Sequence, residues 1–326
     1  MEGVKEGTFM RAVVIDKVTN ASDIVLSKVP IPSVRPGWVL IKVRAFGLNH
    51  SEQILRKEEI LEDYIVRPVI PGIECVGEIE DPSDTTFTKG QKVVALMGGM
   101  GRSFDGSYAE YALLPVHHVF AITSELTWEK LAAVPETYFT AWGSLFESLD
   151  LRTSDTLLIR GGTCALGYAS IQIAKALGCR VIATTHREGK LELISDADEA
   201  ILDNGKLCDI LKDRGVNKVL DLVGPKSLID TMRCVGKCSI VCNTGILGGV
   251  YELDGFDPIK DIPNGVYLTG FFSNYPTKEV IDDIFTFIND KKIVPHVGKV
   301  FEFDRIRGAI EAQDSGKVNG KIVVKI

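Results

Sequence analysis

Gly161, Gly162 and Gly167 stand where an apolar run, TLLIR at 156–160, gives way to a helical pattern. Phosphate binding needs close backbone approach and unpaired N–H groups. Glycine permits the first, and a helix N-terminus supplies the second with a dipole that favours anions. Thr163, Cys164, Ala165 and Leu166 fill the space between the glycines, and the small residues among them still allow a pyrophosphate to come close. Any tight strand-to-helix turn would also want glycine, so the flanking pattern has to decide. Leu166, Ile171, Ile173, Ala174 and Leu177 recur at roughly helical spacing, Gly178 reads as a C-cap, and RVIATT at 180–185 makes a second strand. The result is one βαβ unit with its glycines where a dinucleotide is held.

The end of that second strand bears on which dinucleotide. An acidic residue there would bind the ribose hydroxyls of NAD. This chain reads Thr184, Thr185, His186, Arg187, Glu188, Gly189, Lys190. Arg187 and Lys190 suit a 2′-phosphate through charge-assisted hydrogen bonds, with Thr185 beside them, and Glu188 comes late for the ribose role. The competing reading is a solvated first turn of the next helix. The charge pattern favours NADPH over NADH.

The elements that position these residues follow from the rest of the chain. Its 326 residues suggest two domains with ample core. A net charge of −7 argues against nucleic acid or an anionic membrane surface as partner. No apolar run approaches the roughly 20 residues of a membrane span. The opening MEGVKEGTF has no signal-peptide core, so a cytoplasmic protein is expected. Cys75, Cys179, Cys238 and Cys242 sit in apolar runs and read as reduced and mostly buried. Cys234, Cys238 and Cys242 are evenly spaced, but no CxxC pair or nearby histidine joins them, so packing is expected rather than a metal.

Residues 10–120 are strand-rich. Candidate strands are Arg11–Ile15, Trp38–Phe46, Gly72–Glu80, Gln91–Leu96 and Tyr108–Leu114, broken by Pro–Gly and Lys–Gly turns, with one helical stretch at Ser51–Ile60. From Thr127 the pattern changes. Helices are predicted at 128–133 and 135–149. Strands at 156–160, 180–185, 199–203, 217–223, 237–243 and 266–272 then alternate with helices at 165–178, 188–194, 206–214 and 225–235, which is the pattern of a doubly wound parallel sheet. A helix at Lys278–Asp290, a strand at Lys299–Phe303, a helix at Asp304–Ser315 capped by Asp304, and a closing strand GKIVVKI are expected to complete the first domain. The expected domains are therefore 10–126, 127–272 and a return segment 273–326.

Several stretches carry a resemblance: GWVLIKVRAFGLNHSE at Gly37–Glu52, RPVIPGIECVGEIE at Arg67–Glu80, FDGSYAEYALLP at Phe104–Pro115, PETYFTAWGSLF at Pro135–Phe146, the glycine turn, VLDLVG at Val219–Gly224 and SGKVNGKIVV at Ser315–Val324. In order and spacing the chain resembles the medium-chain dehydrogenase/reductase superfamily, in particular its zinc-free quinone oxidoreductase branch. The resemblance implies an α/β chain with a discontinuous GroES-like β domain, a Rossmann domain, and NADPH in the cleft between them. It also implies a likeness to alcohol dehydrogenases that hold a catalytic zinc on a Cys and a His–Glu pair. Here the matching positions are Asn49 and Ile73–Glu74, and the cysteine lobe of a structural zinc is missing, so no metal is expected.

The resemblance places Asn49, His50 and Ser51 beside the nicotinamide. Asn49 would bond a ribose or substrate oxygen, Ser51 matches the hydroxyl of a proton relay, and His50 either donates a proton or simply lines the wall. Glu52 and Glu74 read as hydrogen-bonding groups rather than bases, and Arg102 as a substrate-side cation. A catalytic tyrosine of the branch finds only Gln53, Ile54 and Leu55 at its place, and Tyr64 lies in a loop. For the cofactor, Thr140, Val223, Gly224, Thr244 and Gly245 match positions near the nicotinamide. Phe271, Phe272 and Ser273 would bind its carboxamide through backbone groups, unless the two phenylalanines serve only sheet-edge packing.

Without a Lewis acid, hydride transfer to a good acceptor remains feasible, because in a quinone or conjugated carbonyl the charge lands on oxygen. The expected function is an NADPH-dependent, zinc-independent reductase of quinones, with a 2-alkenal or enone reductase and a non-catalytic NADP(H)-binding sensor as alternatives. A homodimer is expected by resemblance, with the apolar strand at 266–272 as a candidate sheet edge.

Overall fold

The structure, a computed structural model, describes residues 8–326, so most of the polar opening stretch lies outside the described residues. Two compact units are present. One runs to Glu136 and resumes at Asn274–Ile326; the other is Thr137–Ser273.

The second unit is built on a six-stranded parallel sheet. Its spatial order is Glu199–Leu202, Arg180–Thr185, Thr156–Arg160, Lys218–Asp221, Ile240–Asn243 and Tyr267–Gly270. The central strands are continuous apolar runs because both faces are covered: Leu157, Leu158, Ile159, Val181, Ile182, Val219 and Leu220 are fully buried. Chain order reverses between Thr156–Arg160 and Lys218–Asp221, which creates the switch point where such sheets bind ligands. The helix Ala165–Leu177 ends at Gly178, whose φ of 99° is the left-handed C-cap the sequence suggested. Among the described residues Tyr267–Gly270 pairs on one side only, with Ile240–Asn243, and is an edge strand as expected.

The first unit is a seven-stranded, mostly antiparallel sheet. Its path runs Val297–Glu302, Lys321–Lys325, Trp38–Gly47, Glu74–Asp81, Lys92–Leu96, Val119–Ala121, with Tyr111–Pro115 also paired to Trp38–Gly47. Trp38–Gly47 is the hub, and its Val39, Ile41, Val43 and Phe46 enter the core. Strand Lys321–Lys325 lies between Val297–Glu302 and Trp38–Gly47 and completes this sheet. The two units thus form a discontinuous GroES-like β domain and a Rossmann-type parallel-sheet domain.

Several expectations need correction. The first unit extends past residue 126 because the helix Trp128–Leu131 packs on the sheet of the first unit. The strands Leu26–Pro30 and Val119–Ala121 went unread, being short and, in the first case, largely half-exposed. The helix at 206–214 is only Cys208–Leu211, because Asp213 and Gly215 turn the chain with positive φ. Beyond Trp142 the helix from Pro135 widens to a π-helical turn at Gly143–Ser148. Asp304 caps nothing; it pairs with Arg11, and the helix starts at Ile306 after a 3₁₀ turn. Cys238 is exposed in a turn, not buried. No helix among the described residues is long and apolar enough to cross a membrane.

Candidate functional site

In the Rossmann unit the predicted cofactor residues gather at one edge. Gly161–Gly167, Thr185–Lys190, Val223–Gly224, Thr244–Gly245 and Phe271–Ser273 each follow the carboxyl end of a parallel strand. Gly161 takes φ of 95°, which L side chains rarely adopt. A Cβ at Gly167 would lie 2.5 Å from the Gly162 carbonyl oxygen, so the helix can sit this close to the turn only with glycine there. Cys164 is the N-cap, its Sγ accepting from Gly167 N at 3.3 Å, and Thr163, Ala165 and Leu166 stay half-exposed around it. The residues fit a dinucleotide pyrophosphate: a left-handed glycine, a close-packed helix start and a helix N-terminus whose dipole favours an anion.

At the next turn, the Thr185 hydroxyl accepts from Arg187 N at 3.4 Å. Arg187 is exposed, and Lys190 is half-buried with its ammonium held below the ordinary value by burial and then by the Arg187 charge. Neither cation is held in an ion pair among the described residues, which leaves the two neighbouring charges for an anion. The Val223–Gly224 turn is fixed by Asp221, whose Oδ1 accepts from Val223 N at 2.8 Å and Gly224 N at 2.9 Å. Asp221 is also held by the hydroxyls of Thr231 and Ser227, and burial pushes its carboxyl up. Thr140 is buried on its helix, and Ser144 Oγ, one turn on, donates to its carbonyl and meets Thr244 Oγ1 at 2.9 Å. Phe271 packs edge-on against Phe139, while Phe272 is 75% exposed.

In the GroES-like unit, Asn49, His50 and Ser51 open the helix His50–Lys57, and they part company. Asn49 turns inward. Its Nδ2 donates to Glu74 Oε1 at 2.9 Å, and its Oδ1 accepts from Lys321 Nζ at 2.5 Å. Lys321 Nζ also lies 2.5 Å from Glu74 Oε1, with side chains 2% and 0% exposed. Glu74 Oε2 accepts from Glu136 N at 2.8 Å. Glu52 caps the helix from its third position, Oε2 accepting from Asn49 N at 2.7 Å, and Oε1 accepts from Ile73 N at 3.1 Å. Burial pushes the Glu52 carboxyl above its ordinary value; the Glu74 charge adds to that, while the backbone bonds and Lys321 oppose it. Asn49 was expected to reach for ribose or substrate, but its amide is committed to this buried cluster.

His50 is exposed. Its Nδ1 meets Gln53 Oε1 at 2.7 Å, and the Gln53 amide donates to Asp314 Oδ1 at 2.7 Å. Because the Gln53 nitrogen must face the carboxylate, its oxygen faces the ring, and Nδ1 carries the hydrogen. Nε2 is then the nitrogen left to exchange protons. Ser51 Oγ accepts from Arg102 Nη2 at 2.9 Å, and Arg102 is clamped by Glu59 at 2.6 Å. Burial alone would raise the Glu59 carboxyl, but the hydrogen bond and charge of Arg102 hold it below its ordinary value. Arg102 is thus a fixed partner of Ser51 and not the open cation expected. Tyr64 donates to Glu59 Oε1 from an exposed loop.

Sequence reasoning missed Lys321, the cation of the first cluster, and Asp221 and Arg160 in the second unit. Arg160 is buried and pairs with Asp203 at 2.7 Å and Asp230 at 2.9 Å. An arginine closing the apolar run TLLIR was the available signal, since a buried strand end holds a charge only when it is paired.

Comparison with known proteins agrees with this architecture. A family model described as an alcohol dehydrogenase GroES-like domain matches residues 35–124, and one described as a zinc-binding dehydrogenase matches residues 195–324. A zinc-type alcohol dehydrogenase-like protein of Schizosaccharomyces pombe is 26% identical over 97% of this chain and 99% of its own. The quinone oxidoreductase of Homo sapiens is 30% identical over 62% of this chain and 59% of its own length, less than two thirds. Among solved structures, an NAD-dependent alcohol dehydrogenase superposes with a TM-score of 0.86 at 25% identity, covering 97% of this chain and all of that one. The quinone oxidoreductase of Coxiella burnetii superposes with a TM-score of 0.84 at 22% identity, covering 98% and 99% of the two chains, and shows the fold. The chain therefore belongs to the medium-chain dehydrogenase/reductase superfamily, nicotinamide-dependent oxidoreductases, in its quinone oxidoreductase-like branch.

Proposed function

We propose that the protein is an NADPH-dependent reductase of quinones that works without a catalytic metal. The observation that carries the reading is the Lys321 ammonium, bonded at once to Asn49 Oδ1 and Glu74 Oε1. These are two of the positions that zinc-holding relatives give to metal ligands, and the remaining one is the aliphatic Ile73. A cation already sits between the available oxygens, and no thiolate or imidazole stands with them, so the donor set does not fit zinc. The relatives named for zinc or alcohol dehydrogenation do not carry that chemistry to these residues.

NADPH, when bound, supplies the hydride. The chain's own part is to hold the cofactor's phosphates and to meet the oxygen on which charge develops. Arg187 and Lys190 take the 2′-phosphate, and the Gly161–Gly167 turn takes the pyrophosphate. The Arg102 guanidinium occupies a lone pair of Ser51 Oγ, which leaves the hydroxyl hydrogen to donate and strengthens it as a donor. His50 Nε2 picks up a proton from solvent and returns it to the reduced oxygen.

The test is oxidation of NADPH and NADH against a panel of quinones and enones, with and without chelator. NADPH-selective, chelator-insensitive turnover of quinones is expected. Turnover of enones alone would replace the substrate class and keep the metal-free chemistry. Loss of turnover with chelator, restored by zinc, would overturn the reading.

A further inference from the structure

We propose that Cys208, Asp230 and Cys234 form a binding site for a thiophilic divalent cation, zinc foremost, within the Rossmann unit. Cys208 begins the helix Cys208–Leu211, and Cys234 is the C-cap of the helix Pro225–Arg233. Asp230 lies one turn before Cys234 and shares its face. The two sulfurs are 3.4 Å apart, and Asp230 Oδ1 is 3.9 Å from Cys208 Sγ. All three ligand atoms lie within 4.8 Å of one another. Tetrahedral zinc with Zn–S of about 2.3 Å sets two sulfurs roughly 3.8 Å apart and a sulfur and a carboxylate oxygen roughly 3.5 Å apart. The separations from Cys208 Sγ to Cys234 Sγ and to Asp230 Oδ1 are therefore each within about half an ångström of those values, and the third ligand pair lies within 4.8 Å.

The carboxylate is already aimed. Arg160 Nη1 holds Asp230 Oδ2 at 2.9 Å, which leaves Oδ1 toward the thiols, as outer-shell partners of metal ligands do. The Arg160 charge does not repel a cation unopposed, since Asp203 and Asp221 stand against the same guanidinium. Cys208, Asp230 and Cys234 are each half-exposed, so a hydrated ion can enter and keep a water as its fourth ligand. Two S–H bonds break as two metal–sulfur bonds form, and two protons leave to solvent; nothing is oxidised or reduced. The even spacing of Cys234, Cys238 and Cys242 hid the site, because the true partner, Cys208, is 26 residues away. Bound metal would join the two helices. It has no part in hydride transfer, so its readouts are bound metal and unfolding midpoint rather than turnover.

The experiment uses the full chain, purified under reductant, stripped with chelator and dialysed against zinc. One zinc per chain is expected above the level of the Cys208→Ser/Cys234→Ser double variant. Cobalt in place of zinc should give a thiolate-to-metal charge-transfer absorption that the double variant lacks. Asp230→Asn should weaken zinc by about 10–100-fold, and Cys238→Ser, which alters an exposed thiol outside the cluster, should leave it unchanged. Zinc at 100 times its dissociation constant should raise the folded-to-unfolded ratio of the wild type about 100-fold. Should the double variant fail to fold, the cobalt spectrum of the wild type and the Asp230→Asn affinity still decide. Equal zinc uptake by the wild type and a folded double variant, a cobalt complex without thiolate absorption, or full zinc affinity in Asp230→Asn would overturn the proposal. So would recovery of Cys208 and Cys234 as a disulfide with no zinc retained.

Discussion

The two units hold their charged groups in opposite ways. In the GroES-like unit, Lys321, Glu74, Glu52 and Asn49 satisfy one another in the interior, and little is left over for a ligand. In the Rossmann unit, the glycine turn offers a close backbone approach at a helix N-terminus, and Arg187 and Lys190 stand side by side with no ion pair among the described residues. One set of charges is closed on itself and the other waits for an anion. The first kind of site determines what chemistry is excluded, and the second determines what is bound.

That contrast breaks most sharply at Lys321. Lys321→Met leaves Glu74 buried and unpaired, and a loss of about 3–5 kcal/mol in stability is expected from the denaturant midpoint. Adding Glu74→Gln should recover part of it; an unchanged midpoint in the single variant would mean that the cluster is not closed at all. Ser51→Ala removes the donor aimed by Arg102, and kcat/KM for quinone should fall by about 100-fold, with folding unchanged. A loss confined to KM would make Ser51 a binding group only. On the open side, Arg187→Ala with Lys190→Ala should raise KM for NADPH by about 10–150-fold, matching roughly 1.5–3 kcal/mol for hydrogen bonds to charged groups, and spare NADH. Equal effects on both cofactors would remove the 2′-phosphate from the account.

The smallest effect is a pH slope. The Glu52 carboxyl is raised in the folded chain from its ordinary 4.5, chiefly by burial. Between those two values the folded chain binds more protons than the unfolded one. The stability Glu52 contributes is thus fully present below pH 4.5 and is lost as pH rises through the folded value, at no more than about 1.4 kcal/mol per pH unit. Glu52→Gln should flatten that part of the profile of unfolding midpoint against pH, and a profile that keeps its slope would assign the titration elsewhere.

What was legible in the sequence follows the same division. The Gly161–Gly167 turn, its helix and the strands around it are local patterns, and their chemistry needs residues a few positions apart, so the parallel sheet and its binding edge could be read directly. The closed cluster could not. Lys321 and Asn49 are 272 residues apart, and a lysine in GKIVVKI looks like a strand's solvent-facing charge until its partners are seen. Arg102 misled for the same reason: its isolation in a glycine loop suggested an open cation, while Glu59 waited 43 residues upstream. Cap and turn details failed where a distant charge outbid local preference, as when Arg11 drew Asp304 from its helix.

The placement of the closing strand also bears on the order in which the protein is made. Thr137–Ser273 is a continuous segment, whereas the other unit is built from two separated segments. The unit that begins first finishes last, because Trp38–Gly47 lacks one neighbour until Lys321–Lys325 arrives. Throughout that interval Glu74 has no ammonium to meet, and an open strand edge is exposed to other nascent chains. Synthesis of this protein therefore carries a window of vulnerability that stays open until Lys321–Lys325 has been made.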